Sequence, residues 1–330
     1  MKRVNDLMPQ IADMDNLREA FLVAARGKQA CKEVVSFREA LETNLLSIQQ
    51  QLLDGSYRYG DYRLFTIFDP KKRIICAAPF RERVTFHAMM RVCHPLFENY
   101  QTCVSYASRL GLGSYKALEQ ARHYCHHYRW YLKMDVVKFF DSIHHGQMKR
   151  FLARMVKDRL LLAYWDMLID GYETVPGRGL PIGNLTSQYF ANHYMAVADH
   201  YAKEHLGIGP MIRYMDDVVI WSDNKDLLVC QAHEYEAFVN RQLKLQLHPF
   251  TMNKTIHGLS FLGYVVMPHE LRLNRRSRHR YRTRIRKMED MVEAGSLAQQ
   301  QCLQNMQAMI AFTEKANSKR FLKTTDKEKK

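Results

Sequence analysis

Apolar residues recur at helical spacing over residues 14–53: Leu17, Ala20, Phe21 and Ala24, then Phe37, Ala40, Leu41, Leu45 and Leu46. A 3.6-residue period predicts amphipathic helix, here broken at Gly27 and ended by Asp54-Gly55. The pattern then changes to two strand-like runs, Arg63 to Phe68 and Arg73 to Ala77, joined by Asp69-Pro70-Lys71-Lys72. Helical spacing returns over 81–99 and 112–129, and Trp130 to Val136 reads as a short strand with an acid near its end. Residues 146–171 are helical in pattern, 174–183 (TVPGRGLPIG) form a glycine–proline loop, and 184–205 are helix again. Met211 to Arg213 and Val218 to Trp221 read as strands on either side of Tyr214-Met215-Asp216-Asp217. Residues 226–244 predict helix, 259–266 (LSFLGYVV) a strand, and the chain from 275 on a basic helix.

With 47% hydrophobic and 25% charged residues the composition is that of a folded chain, not a disordered one. The charge changes the picture. There are 49 Lys and Arg against 34 Asp and Glu, a net charge of +15, which predicts an anionic partner, nucleic acid before a membrane surface. Residues 268–330 alone hold 16 Lys or Arg against 7 Asp or Glu. Arg275, Arg276, Arg278, Arg280, Arg282, Arg284, Arg286 and Lys287 follow one another with no acid before Glu289. Such a run repels itself unless an anion lies near, so Arg275, Arg276, Arg278, Arg282 and Arg286 are candidate nucleic-acid contacts.

Apolar runs reach only about seven residues (Phe261 to Met267), against the roughly 20 needed to span a bilayer, so no membrane partner is expected. Asp6, Asp13, Asp15 and Glu19 stand where a secretory signal would be apolar. Seven scattered cysteines with no CxxC pair fit a reducing cytoplasm. His123, Cys125, His126 and His127 crowd too closely for one tetrahedral metal site and read as structural or phosphate-facing.

The sharpest local signal is Tyr214-Met215-Asp216-Asp217, with apolar residues leading in and out. Two adjacent carboxylates at a hairpin tip are costly unless a cation neutralises them, and Mg²⁺ suits such oxygen ligands. Asp135 ends a second apolar strand, Tyr131-Leu132-Lys133-Met134. Strand-end carboxylates that share a rim can hold two metal ions for nucleotidyl transfer.

At this point the chain resembles a reverse transcriptase, and the match runs in order along most of its length. Lys72-Arg73-Ile74 and Arg81-Glu82-Arg83-Val84 resemble the basic fingers motifs that hold the incoming triphosphate. Ser105-Tyr106-Ala107-Ser108-Arg109 resembles the SYxxR segment of group II intron and retron-like enzymes. Asp135 to Asp141 resembles the first palm carboxylate motif, and Tyr214 to Asp217 the YxDD box. Leu245-Gln246-Leu247 with Lys254 resembles the next palm motif, and Leu259 to Tyr264 the primer-grip hairpin. The resemblance implies an α+β fold of right-hand polymerase architecture. Fingers would take 1–127 and 149–184, the palm (an antiparallel sheet plus helices) 128–148 and 185–267, and a short basic helical thumb 268–330.

It also implies roles. Asp135, Asp216, Asp217 and the carbonyl of Val136 would bind two Mg²⁺, with Mn²⁺ as a substitute. Arg73 and Arg83 would clamp the triphosphate, Phe140 would gate the sugar, and Lys254 would donate a proton to pyrophosphate. Template RNA, its primer and cDNA, and deoxynucleotides are the implied ligands. Where most reverse transcriptases carry QGxxxSP, this chain has Ile182-Gly183-Asn184-Leu185-Thr186-Ser187-Gln188. That segment, with Ile182 for Gln and Gln188 for Pro, is similar to the enzymes of diversity-generating retroelements. These copy a template-repeat RNA with errors at adenines to diversify a target gene, beside a small basic accessory variability protein, in bacteria or phage. About 62 residues follow the primer-grip strand, which fits a thumb and leaves no room for a further nuclease or maturase domain. Two other readings stay open: a retron-like or phage-defence reverse transcriptase, and a non-enzymatic RNA-binding palm, the latter opposed by the presence of all three carboxylates.

Overall fold

The computed structural model describes residues 3–68 and 72–295, with isolated positions at 307, 313 and 316. The first apolar stripe becomes a set of short helices. These are α1 (Met8–Ile11), α2 (Met14–Ala25), α3 (Lys32–Glu39) and α4 (Leu41–Asp54). Asp13 starts α2 by accepting from the amides of Asp15 and Asn16, and Gly55 ends α4 in the left-handed conformation that a Cβ disfavours. The predicted hairpin is β1 (Arg63–Phe68) and β2 (Lys72–Ala77), antiparallel with Arg63 opposite Ala77.

Next come α5 (Phe80–Tyr100), α6 (Ser114–His127), β3 (Trp130–Met134), α7 (Phe139–Ser142), α8 (His145–Met155), α9 (Arg159–Asp170) and α10 (Leu185–Glu204). The helix expected over 146–171 is thus two. Asp158 accepts from the Leu161 amide and starts α9 afresh. Then follow β4 (Met211–Tyr214), β5 (Asp217–Ser222), α11 (Lys225–Phe238) with a π-turn over Val239–Leu243, and β6 (Thr251–Lys254). The run 259–266 is not one strand. Leu262 and Gly263 both take positive φ, so β7 (Leu259–Phe261) and β8 (Tyr264–Val266) pair as a hairpin, with β9 (Leu271–Leu273) added to β8. The basic helix is α12 (Arg275–Glu293), capped by Asn274, which accepts from the Ser277 amide.

The chain forms two compact units, each made of separate stretches. The first runs to Arg109 and adds Asp135–Gly207 and Glu234–His248. Its core is built around α5 and α10, where Phe97, Trp165 and Phe190 meet ring to ring within 6.2 Å. Its N-terminus is tied down far along the chain. Val4 bridges Val156, and the Asp158 carboxylate accepts from the amides of Leu7 and Met8 at 2.9 Å as well as from Leu161. The second unit takes Leu110–Met134, Ile208–His233 and the chain from Pro249. It holds the four-stranded antiparallel sheet β4-β5-β3-β6 and the three-stranded sheet β7-β8-β9. No described helix is long and apolar enough to cross a membrane.

Candidate active site

In the second unit Tyr214 pairs directly with Asp217, so Met215 and Asp216 are the two residues of a tight turn. Met215 sits at φ +56°, a conformation that costs a side-chain-bearing residue roughly 1 kcal/mol or more. Arg213, fully buried, donates to the Met215 carbonyl at 3.1 Å and holds the turn in that state. Behind it, Val218 to Trp221 are all buried, so the carboxylates are carried on a rigid strand.

The neighbouring strand supplies a cation that sequence reading passed over. Lys133 lies opposite Val219, which puts its side chain on the same face as that of Asp217. Its Nζ is 2.9 Å from Asp217 Oδ1, with the two side chains only 24% and 26% exposed. The same Nζ is 3.5 Å from the Ser260 carbonyl and 5.9 Å from the centre of the Phe261 ring. Lys133 therefore joins the Tyr214–Asp217 turn to the β7–β8 hairpin. The signal was present in the sequence: Lys133 is two positions before Asp135, and strands alternate with period two.

Met134 pairs with Val218, and Asp135 is the next residue, where the chain enters the first unit. There the Asp135 carbonyl accepts from the His248 amide at 2.8 Å, and the Val137 amide donates to Gln246 at 2.9 Å. Both bonds flank the pair Val136–Leu247, so the N–H and C=O of Val136 itself point away from Leu247. Lys138 follows at φ +45°, and α7 begins. Phe139 is buried and Phe140 half-buried, their rings 5.4 Å apart. Burial raises the Asp141 carboxyl above the usual range.

The Ile182 loop docks on this same unit by backbone bonds. The amides of Gly179 and Leu180 donate to the carbonyls of Ile143 and Phe140, and the Cys76 amide of β2 donates to the Ile182 carbonyl at 2.8 Å. Gly183 takes φ +114°, and a Cβ there would meet Ile75 Cγ2 at 2.9 Å, so only glycine lets the loop approach β2 so closely. Ile182 is half-buried beside the strand that carries the exposed Arg73. Gln188, one turn into α10, accepts from Ser108 Oγ at 3.2 Å, and Asn192 one turn later donates to the Ala107 carbonyl at 2.6 Å. Arg109 completes the clamp through Glu98 and the carbonyls of Thr102 and Ser105. Asn192 was missed by sequence reading although it lies at i+4 from Gln188.

Two expected phosphate ligands are engaged elsewhere. Arg83 pairs with Glu33 at 2.8 Å and lies 5.1 Å from the centre of the Phe80 ring. Lys254 pairs with Trp130, with its Nζ 5.4 Å from the indole. Trp130 is at the opposite end of β3 from Met134, about 13 Å along the strand, so the sheet does not bring Lys254 to the Asp216 turn. On α12, Arg275, Arg276, Arg278 and Arg286 are exposed and Arg282 is half-buried, because Ser277, Tyr281 and Met288 form the inward stripe.

The reverse transcriptase (RNA-dependent DNA polymerase) family profile matches residues 62–266, more than half of the chain. The protein therefore belongs to the reverse transcriptase family. It is 22% identical over 173 residues to the COX1/OXI3 intron 1 protein of Saccharomyces cerevisiae, covering 50% of this chain and 21% of that one. It is 24% identical over 225 residues to protein YkfC of Escherichia coli, covering 61% of this chain and 58% of that one. The chain thus spans about a fifth of the yeast protein and under two thirds of the bacterial one. Among solved structures, a telomerase of Candida tropicalis aligns at TM-score 0.48 and 10% identity, covering 70% of this chain and 60% of that one.

Proposed function

We propose that this protein is an RNA-directed DNA polymerase that copies a template RNA by two-metal nucleotidyl transfer. The observation that carries the reading is the Tyr214–Asp217 turn on β5, the strand beside β3, whose next residue is Asp135. Among the described residues no three His, Cys, Asp or Glu side chains are grouped as a ready metal site. The donor set nevertheless suits hard cations, since Asp135, Asp216 and Asp217 offer carboxylate oxygens and Val136 a carbonyl turned from its strand partner. Asp135, Asp216 and the Val136 carbonyl would hold two Mg²⁺ or Mn²⁺, with Asp217 in support. When bound, such ions lower the pKa of a primer 3′-hydroxyl and neutralise charge on the leaving pyrophosphate.

The chain's own groups do the positioning. Arg73 grips the triphosphate through a planar guanidinium, and Phe140 presents its ring to the sugar. The fingers, palm and thumb assigned from the resemblance divide the work, and the exposed arginines of α12 hold the nucleic-acid backbone. Asp216→Asn tests the reading. It should lower primer extension by several orders of magnitude while RNA binding changes little; activity within tenfold of the parent would refute it.

Within that class we infer an error-prone enzyme of the diversity-generating kind, acting on a template-repeat RNA with a small basic accessory protein. Support comes from Ile182, whose side chain offers only apolar contact where a Gln would offer hydrogen bonds. Apolar contacts discriminate by only about 1–3 kcal/mol. Sequencing of cDNA made on a defined RNA should show frequent misinsertion opposite adenine, reduced by Ile182→Gln. Adenine copied as accurately as other bases would refute the finer reading and leave the polymerase intact.

A further inference from the structure

Four imidazoles meet on the second unit in a place the polymerase chemistry does not use. His123, His126 and His127 lie on the last turns of α6, and His269 comes from the turn between β8 and β9. The His126 ring is 5.0 Å from His269 and 5.2 Å from His127, and His123 is 4.1 Å from His127. With Glu119, Arg122 and Pro268 they line an open cleft of about 420 Å³. Arg122 and all four histidines are exposed. His127 Nδ1 donates to the His123 carbonyl at 2.8 Å, which leaves its Nε2 for a partner.

The surrounding charges leave this cleft cationic. Glu119 pairs with Lys116 at 3.6 Å, and Glu270 beside His269 pairs with Arg272. The 3₁₀ turn packed on α6 adds His257, while β4 and β8 bring the fully buried Arg213, Tyr214 and the buried Tyr264. No grouping of three metal-ligating side chains exists here among the described residues. Charged rings side by side repel one another. An anion with spaced negative charges relieves that repulsion, so its binding and proton uptake are linked.

We propose that this cleft is a second nucleic-acid site, taking phosphodiester oxygens of template RNA with an affinity that rises as pH falls through the imidazole range. The proposal rests on the polymerase reading for its ligand. The same unit carries the exposed arginines of α12, whose charge does not change over that range. The two surfaces are therefore separable by pH.

The test is binding of a short single-stranded RNA to the full chain, by fluorescence anisotropy at fixed salt, at about pH 8 and about pH 6. The parent is compared with the triple variant His123→Asn, His126→Asn, His269→Asn; His127 is kept for its bond to the His123 carbonyl. The parent should bind roughly tenfold tighter at the lower pH, with a salt slope steeper there by about 0.7 per imidazole engaged. The variant should lose that gain and keep its affinity at the higher pH within about twofold. An equal gain in parent and variant, or none in the parent, would overturn the proposal. A difference between parent and variant in binding inorganic phosphate alone, with none toward RNA, would assign the cleft to free phosphate and overturn the RNA assignment. Absence of RNA binding at both pH values would instead refute the polymerase reading itself.

Discussion

Replacing Lys133 with Met removes the cation between Asp217 and the β7–β8 hairpin while keeping the length of the stem. At the observed 2.9 Å, and with an effective dielectric constant near 20, the attraction is about 6 kcal/mol before solvation is counted. Desolvation of two side chains about one quarter exposed cancels much of it. Breaking the pair also strands a partly buried carboxylate, so a net loss of about 2 kcal/mol is expected without divalent metal. The assay is urea unfolding in EDTA for the parent, Lys133→Met, Asp217→Asn and the double variant. Lys133→Met should be the least stable single variant, and the double variant should recover part of the loss, with a coupling energy of about 1–2 kcal/mol. Mg²⁺ should stabilise Lys133→Met more than the parent, because a bound cation then replaces the missing ammonium. Zero coupling, or equal response to Mg²⁺, would refute the role given to Lys133.

Arg73 and Arg83 should separate: Arg73→Ala should raise the KM for deoxynucleotides by about tenfold in a primer-extension assay, whereas Arg83→Ala should leave KM near the parent value and lower the unfolding midpoint. His193 is buried and its pKa is held down to about 4, so the fold keeps it neutral. That contribution is complete above the unfolded value near 6.5 and is lost as pH falls toward 4, by up to about 3 kcal/mol; unfolding of His193→Gln should be less acid-sensitive over that window. Replacing the exposed Arg278 and Arg286 by Gln should reduce the slope of log K against log salt by roughly 0.7–0.9 per lost contact, as read by RNA binding at several ionic strengths.

Much of the architecture was legible because it is carried by short-range pattern. The hairpin at 63–77, the Asp216 turn and the helix over 185–204 all announce themselves by period and by turn residues. What the pattern does not show has specific causes. Leu262 and Gly263 sit inside an apolar run, and nothing in its hydropathy marks the reversal that their positive φ angles produce. Asp158 reads as an ordinary surface acid until its three amide partners are seen, and so the helix break at 156–158 was hidden. Arg83 and its partner Glu33 lie 50 residues apart on different helices, so no local pattern marks their pairing. Motif order does not show where Lys254 lies on the sheet; only the strand register puts it at the Trp130 end of β3. Within the candidate site, the residue types were readable and their supporting contacts were not.

The attachment of the N-terminal segment to Val156 and Asp158 has a consequence for how the protein is born. The amides of Leu7 and Met8 are synthesised about 150 residues ahead of the carboxylate that receives them. At 5–20 residues per second that is a wait of roughly 10–30 s, during which α1 has no partner for those donors. Isolated helices this short are marginal in water, so the segment waits unfolded. Leu7 and Met8 are therefore not secured until Asp158 has emerged. Ribosome-bound chains arrested before Asp158 emerges should leave residues 4–12 open to protease, and chains arrested well beyond it should protect them.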